Sequence, residues 1–194
     1  MMKTITPKIF LTLAVACAAL NCGQSRAADP KPRQAFSFRG AGYFHRWSQK
    51  EQHEFTPAKQ EDLNKWSDMM TINGYPDVSE EEGLATAANA VLENYKKHQA
   101  KVLKTRSVPR TQDSPAEHFI AVVFTRPTFI EVAFARFKLV DDKGFSFVYS
   151  HRVYGDEVGD QASAWLRANG EQVEEALMEW DSMPSPASLS DTEN

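Results

Sequence analysis

The fold of this 194-residue chain is decided by residues 117–154, which read EHFIAVVFTRPTFIEVAFARFKLVDDKGFSFVYSHRVY. The stretch is rich in β-branched and aromatic residues and divides into three strand-like segments, Glu117–Thr125, Phe129–Val140 and Phe145–Tyr154. The connections between them are only a few residues long, whereas a parallel return needs a crossover of about a dozen residues or more. The sequence therefore predicts a C-terminal three-strand antiparallel meander.

Further strands are predicted on the N-terminal side of the meander. The segments Asp68–Tyr75 and Val102–Val108 have strand-like composition and end at turn residues. Shorter strand-like segments occur at Phe36–Phe38 and Tyr43–Trp47. The meander and the first two of these segments make five strands, and with a strand from the shorter, weaker segments the predicted antiparallel sheet has about five to six strands.

Helices are predicted on both sides of the meander. Thr56-Pro57 combines a capping hydroxyl with a proline and predicts the start of a short helix. Residues 80–99 carry an apolar stripe at three- and four-residue spacing, which predicts a long helix. A capping box, Ser79–Glu82, marks the predicted start of this helix. Two C-terminal helices are expected, one ending at Asn169-Gly170 and one around Val173–Trp180.

Together these elements predict an α+β fold, an antiparallel sheet backed by a long central helix and C-terminal helices. The element order, strands, then a helix, four strands and C-terminal helices, is similar to that of PsbP/Mog1-like domains. The resemblance is one of topology only, and a topological likeness implies a fold without implying a function.

The hairpin at Asp141–Gly144 predicts the register of the last two strands. A three-residue loop with its glycine as a left-handed bulge residue places Ala135 opposite His151. This register puts most of the aromatic side chains on one core face. It leaves Arg136 and Arg152 on the other, half-solvated face.

The same register suggests a catalytic site. One register of the preceding turn, Thr125–Thr128, places His118 opposite Ala135 as well, so His118 and His151 line one shallow pocket. Glu131 lies two pair positions away on this face. His118, His151 and Glu131 are therefore candidate catalytic residues. Alternatively, each imidazole is a partly buried side chain that bonds to the backbone or a tyrosine.

A second set of side chains has the chemistry of a recognition surface. Tyr43, Arg46 and Trp47 lie in a segment where aromatic and charged residues are interleaved. With Arg136 and Arg152 they form the candidate binding residues. The alternative is that the aromatic side chains pack over the sheet and complete its core.

The first 27 residues have the layout of a secretory signal peptide. Lys3 and Lys8 precede an uncharged apolar run over residues 9–20, and small side chains at Ser25 and Ala27 suit cleavage after Ala27. A membrane-spanning helix needs ~20 apolar residues. The run is shorter, so we predict a cleaved export signal.

Cleavage after Ala27 would remove Cys17 and Cys22, the two cysteines of the chain. Lipid attachment at either cysteine is the lesser alternative, because neither is preceded by a well-matched lipoprotein box. The mature chain keeps 19 basic against 26 acidic residues, a net charge of −7. Binding to a phosphate backbone depends on clustered Lys and Arg, so nucleic acid is not an expected partner.

The mature chain is expected to have a flexible leader over residues 28–42, one domain over residues 43–181 and a disordered tail over residues 182–194. It lacks Walker, dinucleotide, zinc-ribbon and His-Glu-x-x-His patterns, so we predict no cofactor and no metal. We expect an exported bacterial protein, periplasmic or extracellular, that is a non-catalytic module binding a small ligand or another exported protein. The alternatives are a small hydrolase or metal-dependent enzyme that uses His118 and His151, and an inhibitor or immunity-type partner of another exported protein.

Overall fold

The computed structural model describes residues 33–184, which form one eight-stranded antiparallel sheet and two α-helices. The strands are β1 Gln34–Phe38, β2 Ala41–Gln49, β3 Gln52–Pro57, β4 Asp68–Tyr75, β5 Lys101–Val108, β6 Glu117–Thr125, β7 Phe129–Val140 and β8 Lys143–Tyr154, and the helices are α1 Glu81–Lys97 and α2 Val158–Met178. The strand order is β1-β2-β3-β4-β8-β7-β6-β5, so the N-terminal strands join the meander where β4 pairs with β8. The predicted signal peptide, the first part of the leader and the tail from residue 185 lie outside the described residues.

The predicted α+β class and antiparallel sheet are confirmed, but the predicted size, about five to six strands, is wrong. One reason is the segment Gln52–Pro57, which is a strand and does not lead into a helix. Thr56 caps no helix, because its buried hydroxyl bonds to the Gln60 carbonyl and accepts a hydrogen bond from Arg46 Nε. Pro57, which has no N–H to donate, ends the strand. A second reason is that β1 is a full edge strand paired with β2.

Helix α1 lies where the sequence predicts a helix, but it is not central and does not begin with the predicted capping box. Glu80 is the N-cap, and no side chain caps the helix. Glu81 Oε1 instead accepts a hydrogen bond from the Ala116 N–H at 3.2 Å. The helix packs on β6 and β7, towards one edge of the sheet.

The two predicted C-terminal helices are the single helix α2. Asn169-Gly170, the expected stop, lies inside it, and Asn169 Nδ2 donates to the Trp165 carbonyl one turn earlier. The apolar residues Ala162, Val173 and Leu177 stay on one buried face across this point. Burial of that face outweighs the cost of about 1 kcal/mol for a glycine inside a helix.

Both faces of the sheet are covered over the meander, so the predicted division into one core face and one half-solvated face is wrong. Helix α1 covers one face over β6 and β7, and α2 covers the other over β7 and β8. Buried under α1 are Ile120, Val122, Ala133, Ala135, Phe137 and Val148. Buried under α2 are Phe119, Val132, Phe134, Phe147 and Tyr149. Strands covered on both faces have nearly continuous apolar sequences, as β6 and β7 do.

The register of the β7–β8 hairpin differs by three residues from the predicted one, so the side chains of β8 change face relative to β7. Asp141 and Asp142 have φ angles of 49° and 56° and form a two-residue turn between the paired ends of the strands. The glycine that suggested a longer loop, Gly144, lies within β8. A Cβ at this position would be 2.7 Å from Val78 Cγ1, so glycine is required there by close packing and not by the turn.

Candidate functional site

Helix α1 leaves part of its own side of the sheet uncovered. It packs on β6 and β7, whereas β2, β3 and β4 continue past it towards the other edge. Thr71 is the cross-strand partner of Val148, whose side chain lies in the core under α1. Thr71 and its partners on β3 and β2 therefore point to the α1 side of the sheet. We call the uncovered surface the open face, and its half-buried residues are Phe44, Arg46, Trp47, Gln52, Glu54 and Thr71.

A β-bulge in β2 places two consecutive large side chains on the open face. The register shifts between His45 and Trp47, so Trp47 is the cross-strand partner of Glu54. The extra residue, Arg46, lies along the same surface. Its Nε donates to Thr56 Oγ1 at 2.9 Å, and its Nη2 donates to a backbone carbonyl at 3.2 Å. Neutral oxygen atoms therefore hold the Arg46 guanidinium.

Glu54 is the carboxyl group of the open face, and its pKa is raised. Burial is the main cause of the higher pKa, and the negative charge of Glu131 adds to it. A hydrogen bond from Gln52 Nε2 at 3.2 Å and the positive charge of Arg152 offset part of the increase. A cation brought to this carboxyl group would favour the ionised form.

Arg152 lies at the border of the open face between two aromatic rings. Its guanidinium carbon is 3.9 Å from the Trp66 ring centroid and 4.2 Å from that of Phe129. Arg152 Nε donates to Glu131 Oε2 at 2.8 Å. Two cation–π contacts and an ion pair hold this guanidinium in place. Because Arg152 is paired with Glu131, its positive charge acts on Glu54 without a direct hydrogen bond between the two side chains.

A second candidate site lies on the opposite side of the sheet, the side covered by α2. Asp68 Oδ1 accepts a hydrogen bond from the Tyr149 hydroxyl at 2.6 Å and lies 3.0 Å from His151 Nδ1. The His151 ring stacks on Trp165, with ring centroids 4.0 Å apart. Burial raises the pKa of Asp68, but hydrogen bonds from His151, Tyr149 and Gln60 outweigh it and keep the pKa below its usual value. An ionised Asp68 favours the tautomer in which His151 Nδ1 is the donor and Nε2 is the proton acceptor.

The structure separates the two histidines that the sequence predicts to share a pocket. His151 pairs with Asp68 on the α2 side, whereas His118 pairs with Phe137 on the α1 side. His118 Nδ1 lies 2.9 Å from Ser107 Oγ, and its buried Nε2 has no hydrogen-bond partner among residues 33–184. Burial lowers the pKa of His118. The predicted two-imidazole pocket is wrong because the three-residue difference in the β7–β8 register moves His151 to the opposite side of the sheet, whereas the two-residue difference in the β6–β7 register leaves His118 on its predicted side.

Two of the predicted binding residues belong to the core. Arg136 is 3% exposed, and it donates to Glu117 from Nε at 2.7 Å and from Nη2 at 2.9 Å. Its Nη1 donates to two backbone carbonyls at the C-terminal end of α2. Tyr43 is 2% exposed and packs in the core under α2. The other three predicted binding residues lie on the open face or at its border.

No group of three or more His, Cys, Asp or Glu side chains in residues 33–184 is arranged to hold a metal ion. His45 and His53 face each other across β2 and β3, with ring centroids 6.0 Å apart, and both pack against Phe55. Within the same described span, neither helix has the length and apolar character needed to cross a membrane.

Sequence reasoning missed Asp68 and Glu54 as site residues. The sequence predicts Asp68 only as the first residue of a strand, and it places Glu54 only within the segment of interleaved aromatic and charged residues. The partner of Asp68, His151, lies 83 residues further along the chain. Arg152, whose charge acts on Glu54, is similarly distant in sequence. No local pattern signals contacts of this kind.

The fold and the site define an α+β domain with one antiparallel sheet, a helix on each side and one open surface. The chain belongs to the protein family whose model matches residues 30–182. No curated protein matches the chain in sequence.

The solved structures that are similar to this chain include three with low sequence identity. The Ran-binding protein Mog1p of Saccharomyces cerevisiae is 11% identical, with 71% of this chain and 86% of that chain covered and a TM-score of 0.44. A mutant of protein Mog1 is 10% identical, with 77% and 94% covered and a TM-score of 0.46. Human STARD10 is 9% identical, with 72% and 74% covered and a TM-score of 0.29.

Proposed function

We propose that this chain is an exported binding module, and that its open face binds a small ligand with a positively charged group next to an apolar surface. The observation that supports this function is the pairing of Trp47 with Glu54 on the uncovered part of the sheet. An indole ring attracts a cation through its π face, and a neighbouring carboxylate supplies the opposite charge. An apolar surface with a few polar groups is typical of ligand sites.

Glu54 is the group on the open face that would attract a cation. Arg152 is paired with Glu131, and Arg46 is hydrogen-bonded to the Thr56 hydroxyl and the Pro57 carbonyl. The carboxyl group of Glu54 therefore remains available for a ligand, with Gln52 beside it as a further polar group. A ligand cation would replace the solvation that burial removes from this carboxylate.

Export is the part of the proposal that rests on sequence alone. The basic start, the apolar run of residues 9–20 and the small residues before the cut at Ala27 support a secretory signal. The mature protein would then act in the periplasm or outside the cell. Lipid attachment at Cys17 or Cys22 is the lesser alternative.

The binding site is tested by titrating the purified protein with arginine methyl ester and with choline. Tryptophan fluorescence and NMR measure the binding. Trp47→Ala and Glu54→Gln are each expected to weaken binding by about tenfold or more. Binding should strengthen as the pH rises through the raised pKa of Glu54, because only the ionised carboxyl group attracts the cation. Glu54→Gln should remove this pH dependence.

Glu61→Gln is the matched control for this titration, because Glu61 is an exposed carboxylate outside the open face. It is expected to leave affinity and pH dependence unchanged. Equal binding of neutral analogues, or an equal loss in Glu61→Gln, would contradict a cation site at Glu54.

One observation favours a second candidate function, hydrolysis with His151 as general base. We propose it on the contact between Asp68 and His151 Nδ1, because a carboxylate in this position orients an imidazole for proton transfer. His118 has no part in it. If this function operates, His151→Gln abolishes ester hydrolysis by the purified protein, whereas Trp47→Ala leaves hydrolysis intact.

A further inference from the structure

Strand β5 is an edge of the sheet with one side of its backbone unpaired. It pairs with β6 over Lys101–Val108, and within residues 33–184 no strand pairs with its outer side. Its side chains are exposed except for Val102 and Val108. An unpaired edge of this length presents free N–H and C=O groups to another extended segment.

The basic side chains of β5 lie on one side of the strand. Lys101, Lys104 and Arg106 are the cross-strand partners of Val123, Ala121 and Phe119 of β6, and a bulge at Leu103 keeps the three cations on the same side. Lys104 and Arg106 share a single carboxylate, that of Glu174, at 2.8 and 3.3 Å. These three side chains therefore carry an excess of positive charge, although the net charge of the chain is −4.

The bulge residue Leu103 is itself exposed. The residue is 38% exposed, and among the large hydrophobic residues of the described span it is the one on the surface. Lysines on an edge strand commonly serve only to prevent association with other strands. An exposed leucine in the middle of the same edge has the opposite effect, because it adds apolar surface that a partner can bury. The combination indicates recognition of a particular partner.

We propose that β5 binds an extended acidic segment of a partner protein, which adds to the sheet as a ninth strand. Backbone hydrogen bonds to the free edge provide the pairing, as in other cases of strand addition. Acidic side chains at every second position of the segment face Lys101, Lys104 and Arg106, and an apolar side chain covers Leu103. A second copy of β5 is a poor occupant, because it would bring like charges together.

The test uses the full chain and a synthetic peptide as long as β5 that alternates aspartate with threonine and has a central leucine. Binding is measured by fluorescence anisotropy, and protection of the β5 amides by hydrogen exchange. Reversing the three cations (Lys101→Glu, Lys104→Glu, Arg106→Glu) is expected to weaken binding by about tenfold or more. A peptide methylated on alternate backbone nitrogens should not bind, because it cannot form the strand pairing.

The matched control is a triple reversal at exposed lysines away from β5, Lys59→Glu, Lys65→Glu and Lys143→Glu, which changes the net charge by the same amount. It should bind the peptide as the unmodified chain does, and Trp47→Ala should also have no effect. Equal losses in both triple variants, or binding of the methylated peptide, would overturn strand addition. Full protection of β5 without peptide would show that another part of this chain or a second copy occupies the edge, and would overturn the partner proposal.

Discussion

At the scale of single residues, Arg136 connects the sheet to the end of α2. Its guanidinium makes a two-point contact with Glu117 and two further hydrogen bonds to backbone carbonyls, all in a buried position. Lys138 Nζ lies 3.5 Å from the same carboxyl group and is 24% exposed. The charge of Glu117 is therefore compensated mainly by one side chain.

We expect Arg136→Met to lower the free energy of unfolding by about 3–5 kcal/mol, because it leaves the Glu117 carboxylate buried without its main partner. Urea unfolding followed by circular dichroism measures the effect. Lys138→Met, the matched control, should cost less than about 1 kcal/mol. Combining Arg136→Met with Glu117→Leu should recover part of the loss. A change below about 1 kcal/mol in Arg136→Met would show that the pair is not a structural link.

At the scale of elements, the β7–β8 hairpin sets which side chains share a face. Its turn residues Asp141 and Asp142 both adopt left-handed backbone angles. Aspartate tolerates this region better than most residues, but glycine has no Cβ to hinder it. Two-residue turns of this type favour glycine at the second position.

Asp142→Gly is therefore expected to raise the free energy of unfolding by about 0.5–1 kcal/mol, measured by urea unfolding, because the relieved steric cost of a positive φ exceeds the entropy that glycine adds to the unfolded chain. Asp142→Ala should give no gain, because alanine keeps the steric cost of a positive φ. A loss of stability in Asp142→Gly would show that the aspartate side chain holds the turn by contacts of its own.

At the scale of the whole molecule, the helices cover both sides of the meander but not the α1 side of β2–β4. This unequal cover creates the open face, whereas the strand order leaves β5 as a free edge at the other end of the sheet. The two proposed binding surfaces are therefore separated by the width of the sheet. Variants of one are expected to leave the other unchanged.

Export is a prediction about the whole chain. When the protein is produced in a bacterium with an active secretion pathway, we expect intact-mass analysis to show a chain that begins at Ala28 and contains no cysteine. Ala27→Lys should block the cleavage, because the peptidase requires a small residue before the cut. Recovery of the unmodified protein from the cytosol with Met1 still attached would contradict export.

The strands of the meander, their antiparallel pairing and the position of α1 can be predicted from the sequence, because they depend on local periodicity and short connections. The sequence also indicates Arg46 and Trp47, whose place on the open face follows from a local bulge. The strand register and the pairs Glu117–Arg136 and Asp68–His151 follow only from the folded chain. Asp68 and His151 are 83 residues apart, Glu117 meets Arg136 because of the β6–β7 register, and a glycine that resembles a turn residue is required by contact with Val78 instead.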